Sequence, residues 1–187
     1  MSWVSSEYQT FRFVVAGDLE AGFVLCTRFV GAELAGPEAV RELLSRRWPM
    51  DEWSRLVTVM EGGRVTTVKA DVELHGPWVW DLYSVMDPHD YFRRFDGAAL
   101  CVSTDRPESF SEAVVFFEAF EQHTEQGTPS VLAVASQQAL TGSVMAEIEK
   151  LSKQYGLQMI QVDLNSGKNV QSVFRTLAEG AIRRSTS

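Results

Sequence analysis

Two glycines separated by four residues, Gly17 and Gly22, follow a hydrophobic run that begins at Phe11. This is the G-x-x-x-x-G-K-[ST] spacing, in which backbone N–H groups wrap a phosphate, a lysine neutralises it and a hydroxyl holds magnesium. Here Phe23 stands at the lysine position and Val24 at the hydroxyl position. An apolar pair at those places removes the charge and the metal ligand, and leaves the glycine frame. Losing one partner of a buried charge pair costs ~3–5 kcal/mol, so nucleotide binding is not expected. The expectation is instead that the second glycine opens a helix over 21–30, and that Phe23 and Val24 fill the vacated phosphate pocket. Such a domain is stable without ligand.

Other groups that could do chemistry are sparse. Asp87-Pro88-His89-Asp90 sets two carboxylates beside an imidazole, but next to a proline it reads as a polar loop. His75 falls at a turn and His123 near a helix end, with no nucleophile near either in sequence. Cys26 and Cys101 lie in apolar runs and read as buried thiols, with no Cys-x-x-Cys or zinc spacing. There is no nucleophile elbow, zinc-protease helix or dinucleotide fingerprint.

The elements that must position these residues follow from periodicity. Thr10–Ala16 is a nearly continuous apolar run, as in a strand buried on both faces. Gly36-Pro37-Glu38 starts a short helix that Pro49 closes. Residues 51–60 fit helix or strand equally, and Gly62-Gly63 is a turn. Residues 65–74 alternate, and His75-Gly76 joins them to Trp78-Val79-Trp80 in a pattern that reads as a hairpin. Strand and helix then alternate: strands at 97–103, 130–135 and 159–162, helices at about 108–122, 142–155 and 170–183. That order implies a mainly parallel sheet with helices on both faces.

The chain has 187 residues, 45% of them apolar and 22% charged, with a formal net charge of −8. Its length fits a single domain spanning 1–187, with a core of about 10–183. The charge argues against nucleic acid or an anionic membrane surface as partner. No run reaches the ~18 apolar residues of a membrane span, and neither a secretory leader nor a C-terminal cysteine for lipid attachment is present. The expectation is a cytoplasmic protein without a direct membrane anchor. Trp48, Trp53, Trp78, Tyr83 and Tyr91 are candidate anchors for a protein partner, since aromatic residues on a surface groove commonly serve so. Trp80 reads as core. Of Phe116, Phe117 and Phe120, at least two face the core.

Four phrases, in order, resemble the Ras superfamily of small GTPases, and its Rab branch most closely. Gly17 through Phe29 is similar to the family's loop and first helix, including the terminal Arg28-Phe29. Trp80-Asp81-Leu82-Tyr83-Ser84 looks like its W-D-T-A-G. Asp96-Gly97 through Thr104-Asp105-Arg106-Pro107-Glu108-Ser109-Phe110 follows its central strand and the T-D-x-x-S-F helix start. Ser166-Gly167-Lys168-Asn169-Val170 through Phe174 resembles S-A-K with N-V-x-x-x-F. The resemblance covers about 10–183, with 31–64 poorly matched.

It implies a small-GTPase-like three-layer sandwich, with a mostly parallel central sheet and one antiparallel edge hairpin. By the same resemblance Asp81 matches the metal-binding aspartate, Ser84 replaces the phosphate-contacting glycine and Val85 replaces the catalytic glutamine. Ser136-Gln137-Gln138-Ala139 replaces the guanine-reading N-K-x-D, so the paired acceptors for the base edge are gone. Ser166 and Lys168 remain of the base pocket. The implied protein is a pseudo-GTPase without catalysis, metal or nucleotide cofactor. It would serve as a scaffold or adaptor in a hetero-complex of trafficking, ciliary or similar function. The alternative is an atypical Rab-like switch with non-standard nucleotide contacts.

Overall fold

The computed structural model describes residues 8–32, 52–76, 86–106, 108–135 and 142–186. Within them a six-stranded sheet carries helices on both faces. The elements in chain order are β1 (Thr10–Gly17), α1 (Leu19–Val30), β2 (Glu52–Glu61), β3 (Arg64–Leu74), α2 (Pro88–Phe92), β4 (Gly97–Ser103), α3 (Glu108–His123), β5 (Ser130–Ala135), α4 (Gly142–Tyr155), β6 (Gln158–Val162) and α5 (Val170–Ser185). The strand order is β2-β3-β1-β4-β5-β6. All neighbours run parallel except β2 and β3.

The apolar run at β1 is central, as its hydrophobicity on both faces requires. Phe11, Phe13 and Val15 turn to a core shared with α1 and α5. Val14 and Ala16 turn to a second core under α2, α3 and α4. Two apolar layers on opposite sides of one sheet make this a three-layer α/β fold.

The antiparallel pair lies elsewhere than the alternation at 65–80 implies. β3 pairs with the strand before it, through an unbroken register from Glu52↔Glu73 to Glu61↔Arg64. Residues 52–60 of the ambiguous stretch therefore form a strand. Gly62 and Gly63 turn the hairpin with φ of 55° and 82°, the doubly left-handed geometry whose twist matches the flanking strands. His75 and Gly76 follow the end of β3; Trp78 and Trp80 lie outside the described residues.

Asp87-Pro88-His89-Asp90 is the start of a short capped helix and not a loop. The Asp87 carboxylate accepts from the His89 N–H at 2.9 Å, and Asp90 pairs with Arg93 at 3.0 Å. Phe116, Phe117 and Phe120 are all buried, and Val115 is the large apolar side chain that this helix leaves exposed.

Candidate functional site

β1 and β3 lie side by side, but the elements that follow them sit on opposite faces of the sheet. Such a reversal leaves a crevice beyond the carboxyl ends of the strands, the usual ligand position in α/β sheets. A cavity of ≈ 470 Å³ opens there, lined by Gly17, Leu19, His75, Gly76, Arg106 and Phe116 among others.

The floor of this crevice is the N-terminus of α1, and its geometry corrects the sequence reading. The helix begins at Leu19, three residues before Gly22, so no extended loop separates the two glycines. Asp18 is the N-cap: its Oδ1 accepts from the Ala21 N–H at 2.9 Å, and its backbone oxygen accepts from the Gly22 N–H at 2.8 Å. The N–H groups of Ala21 and Gly22, which a phosphate loop would turn on its ligand, are spent inside the helix. The Asp18 carboxylate is 2% exposed. The Arg106 guanidinium stands 3.6 Å from its Oδ1, while Oδ2 has no hydrogen-bond partner among the described residues. A helix N-terminus attracts anions, and here the chain supplies its own.

Each glycine has a steric reason of its own. A Cβ on Gly17 would come within 2.3 Å of the Cys101 carbonyl oxygen, and the residue has a φ of 101°. Cys101 O in turn accepts from the Asp18 N–H at 2.8 Å, which fixes the exit from β1. A Cβ on Gly22 would lie 2.9 Å from Leu74 Cδ1 and 3.2 Å from Val15 Cγ1, so its absence lets α1 lie close on the sheet. The spacing therefore reports a chain crossing and a helix–sheet contact.

Phe23 and Val24 do not fill a phosphate pocket. Phe23 is buried between α1 and the sheet, edge-on to Trp53 of β2 at 5.7 Å. Val24 is half-buried against the same core. Their placement follows from the helix phase, which starts earlier than the motif assumes. Trp53, a candidate partner anchor, is half-buried and uses its ring on Phe23.

Ser166 and Lys168 form an exposed turn held by Asp163. Ser166 Oγ donates to Asp163 Oδ2 at 2.7 Å, and the Asn165 N–H donates to Asp163 Oδ1 at 2.9 Å. The Ser166 hydroxyl and N–H contribute most to holding the Asp163 carboxyl below its usual range. Arg28 ties this turn to α1, with its Nε donating to the Leu164 oxygen at 3.0 Å, and Phe29 packs on Phe174 at 4.0 Å. Arg28 lies ten positions along from Asp18, a rise of about 15 Å. The Ser-Gly-Lys turn thus contacts the far end of α1 from the cap.

Ser109, in the Thr104–Phe110 phrase, is fully buried. Its Oγ accepts from the Ser103 N–H at 3.0 Å and donates to the Arg106 oxygen at 2.6 Å. It joins the end of β4 to the start of α3, and so places Arg106 over Asp18.

Tyr91 is 1% exposed and is no surface anchor. It lies edge-on to Phe92 and Phe95, and its hydroxyl is 3.2 Å from His75 Nδ1. The apolar face of the short helix α2 requires this burial. Burial also pulls the His75 imidazole down to about 3, so it is neutral in the fold. Burial raises both thiols, Cys101 further through the Asp18 charge and Cys26 through Cys101. Neither is an available nucleophile at neutral pH.

Asp81, Ser84, Ser136, Ala139, Trp48, Trp78 and Tyr83 lie outside the described residues. Among the described residues, no group of three or more His, Cys, Asp or Glu could hold a metal ion. No helix there is long and apolar enough to cross a membrane. What sequence reasoning missed is Asp18 and Arg106. The signal was present in Gly17-Asp18-Leu19-Glu20, an N-cap aspartate with an acid in the first turn.

The site and fold define a three-layer α/β protein with an internally capped crevice at its strand reversal. No model of a known protein family matches the chain, and no curated protein matches it.

Proposed function

We propose that this chain is a nucleotide-independent protein-binding module on a small-GTPase-like core, an adaptor or scaffold subunit of an intracellular hetero-complex. The observation that carries this reading is the Asp18 carboxylate on the N-terminus of α1. A fixed negative charge at the place where a phosphate would bind repels one, and the shortened turn offers no ring of free N–H groups. Glu108 and Glu112 add negative charge around Arg106, whose own cation is already shared between Asp18 and Glu108. The strand order, the reversal between β1 and β3 and the four family-like phrases support the relationship to small GTPases.

With the phosphate contacts gone, what remains at the crevice is a concave, mostly apolar surface. Phe116 and Leu19 lie within it and Val115, 53% exposed, is at its edge. Apolar concavities with a polar rim suit a protein side chain as anchor.

Two measurements test the reading. Titration of the full chain with fluorescent GTP or GDP, with magnesium, is expected to show no saturable binding up to millimolar nucleotide. Saturable binding, with a melting temperature that rises by several degrees, would establish the switch reading instead. Co-purification from native lysate is then compared between the wild type and Val115→Asp. Loss of a stoichiometric partner with an unchanged melting temperature supports docking at the crevice; identical recovery moves the docking surface elsewhere.

A further inference from the structure

β2 is an edge strand: among the described residues no strand lies beyond it. Long, regular edges invite pairing with another chain, and proteins usually blunt them with lysine, proline, a bulge or a cover. β2 has none of the first three. Glu52–Glu61 contains neither lysine nor proline, and its register with β3 is unbroken. Its outer face exposes two apolar side chains among polar ones, Leu56 at 47% and Met60 at 69%, and Val65 of β3, opposite Met60, is 61% exposed. Val57 and Val59 point the other way, into the core.

The order of side chains along this edge is self-complementary. In an antiparallel pair with a second copy, opposite residues share a face, and the two-fold axis fixes which residues meet. An axis at Thr58 sets Leu56 opposite Met60 and Val57 opposite Val59. It also sets Arg55 opposite Glu61. Moving the axis to Leu56 or Val57 opposes Arg55 with a valine and leaves Leu56 facing either itself or a threonine. The axis at Thr58 alone joins the exposed apolar pair and the opposite charges, the pairings that stabilise adjacent strands. Arg55 already donates one nitrogen to the Phe29 oxygen, which steadies the guanidinium and leaves further donors for a carboxylate.

We propose that the chain forms a two-fold homodimer by antiparallel β2–β2 pairing centred on Thr58, joining two sheets into one. The occupant of the open edge is a second copy. This surface is separate from the crevice and stands whether or not the crevice binds a partner.

Thr58 provides the test, because on the axis it meets its own copy. Its hydroxyl lies 3.3 Å from Thr67 Oγ1 in an exposed contact. Sedimentation equilibrium of the full chain from micromolar to a few hundred micromolar is expected to show a mass rising toward twice the monomer. Thr58→Lys and Thr58→Glu each set like charges face to face and should weaken the dimer about tenfold or more. Their equimolar mixture should restore it as a heterodimer, with more salt sensitivity than the wild type. A monomer throughout the concentration range overturns the proposal. So does a dimer indifferent to both variants, or a mixture that stays monomeric while each variant melts like the wild type.

Discussion

The Asp18 carboxylate sits 3.6 Å from the Arg106 guanidinium while capping α1 through the Ala21 N–H at 2.9 Å. One side chain thus closes the helix, anchors the start of α3 and occupies an anion position. Asp18→Ala is expected to lower the unfolding free energy by about 1–2 kcal/mol, the usual loss for an N-cap. Asp18→Asn keeps an acceptor for the cap and should cost less. Arg106 is 43% exposed, so Arg106→Gln should cost no more than about 1 kcal/mol after solvent screening. Urea denaturation of the three variants checks the order, and Asn falling below Ala would show that the cap is not the dominant contribution.

The two glycines should respond unequally to alanine. Gly17→Ala forces a Cβ against a backbone oxygen at a positive φ, and neither can yield without moving β4. Gly22→Ala meets the end of Leu74, a flexible side chain, and should cost about 1–3 kcal/mol as overpacking. Soluble yield and melting temperature are therefore expected to rank wild type, then Gly22→Ala, then Gly17→Ala. Equal, mild effects would mean that the glycines serve a loop rather than two close approaches.

Rebuilding the motif should not rebuild the site. Phe23→Lys with Val24→Thr restores the lysine and the hydroxyl in sequence, yet position 23 faces the core beside Trp53. The expected outcome is a protein destabilised by several kcal/mol, as for a lost buried aromatic, with no nucleotide affinity by fluorescence titration. Gain of magnesium-dependent binding would show that the helix start can shift to Gly22.

Stability should fall with acid through His75. The unfolded imidazole titrates near 6.5, whereas burial lowers it to about 3 in the fold. Between these values the unfolded chain binds more protons, so this contribution is complete above about pH 6.5 and is lost as pH falls toward 3. The slope approaches about 1.4 kcal/mol per pH unit once the unfolded imidazole is charged. His75→Phe removes that slope. Chemical denaturation of both proteins from pH 7 to 4.5 should show the variant gaining on the wild type as the solution becomes more acidic; parallel curves would refute a neutral buried histidine.

The amino-acid order by itself determined most of the elements. Strand β1 announces itself because Phe11–Ala16 is apolar on both faces, and the helices over 108–123, 142–155 and 170–185 follow from their apolar spacing and, for α4, its glycine stop. It also set glycines at 17 and 22, in the spacing of a phosphate-binding loop. Only the tertiary structure decided what occupies the space. A glycine says that a Cβ is excluded, but a carbonyl oxygen, a leucine methyl and a phosphate exclude it equally well. Whether Asp18-Leu19-Glu20-Ala21 is loop or first turn depends on the Asp18 cap and on Arg106, which arrives from 88 residues away. Likewise 52–60 became a strand because β3 offered it a partner, and Tyr91 went inward because α2 had to cover the second core. Local pattern sets what a segment is able to form; the groups that long-range packing brings beside it select which form is stable.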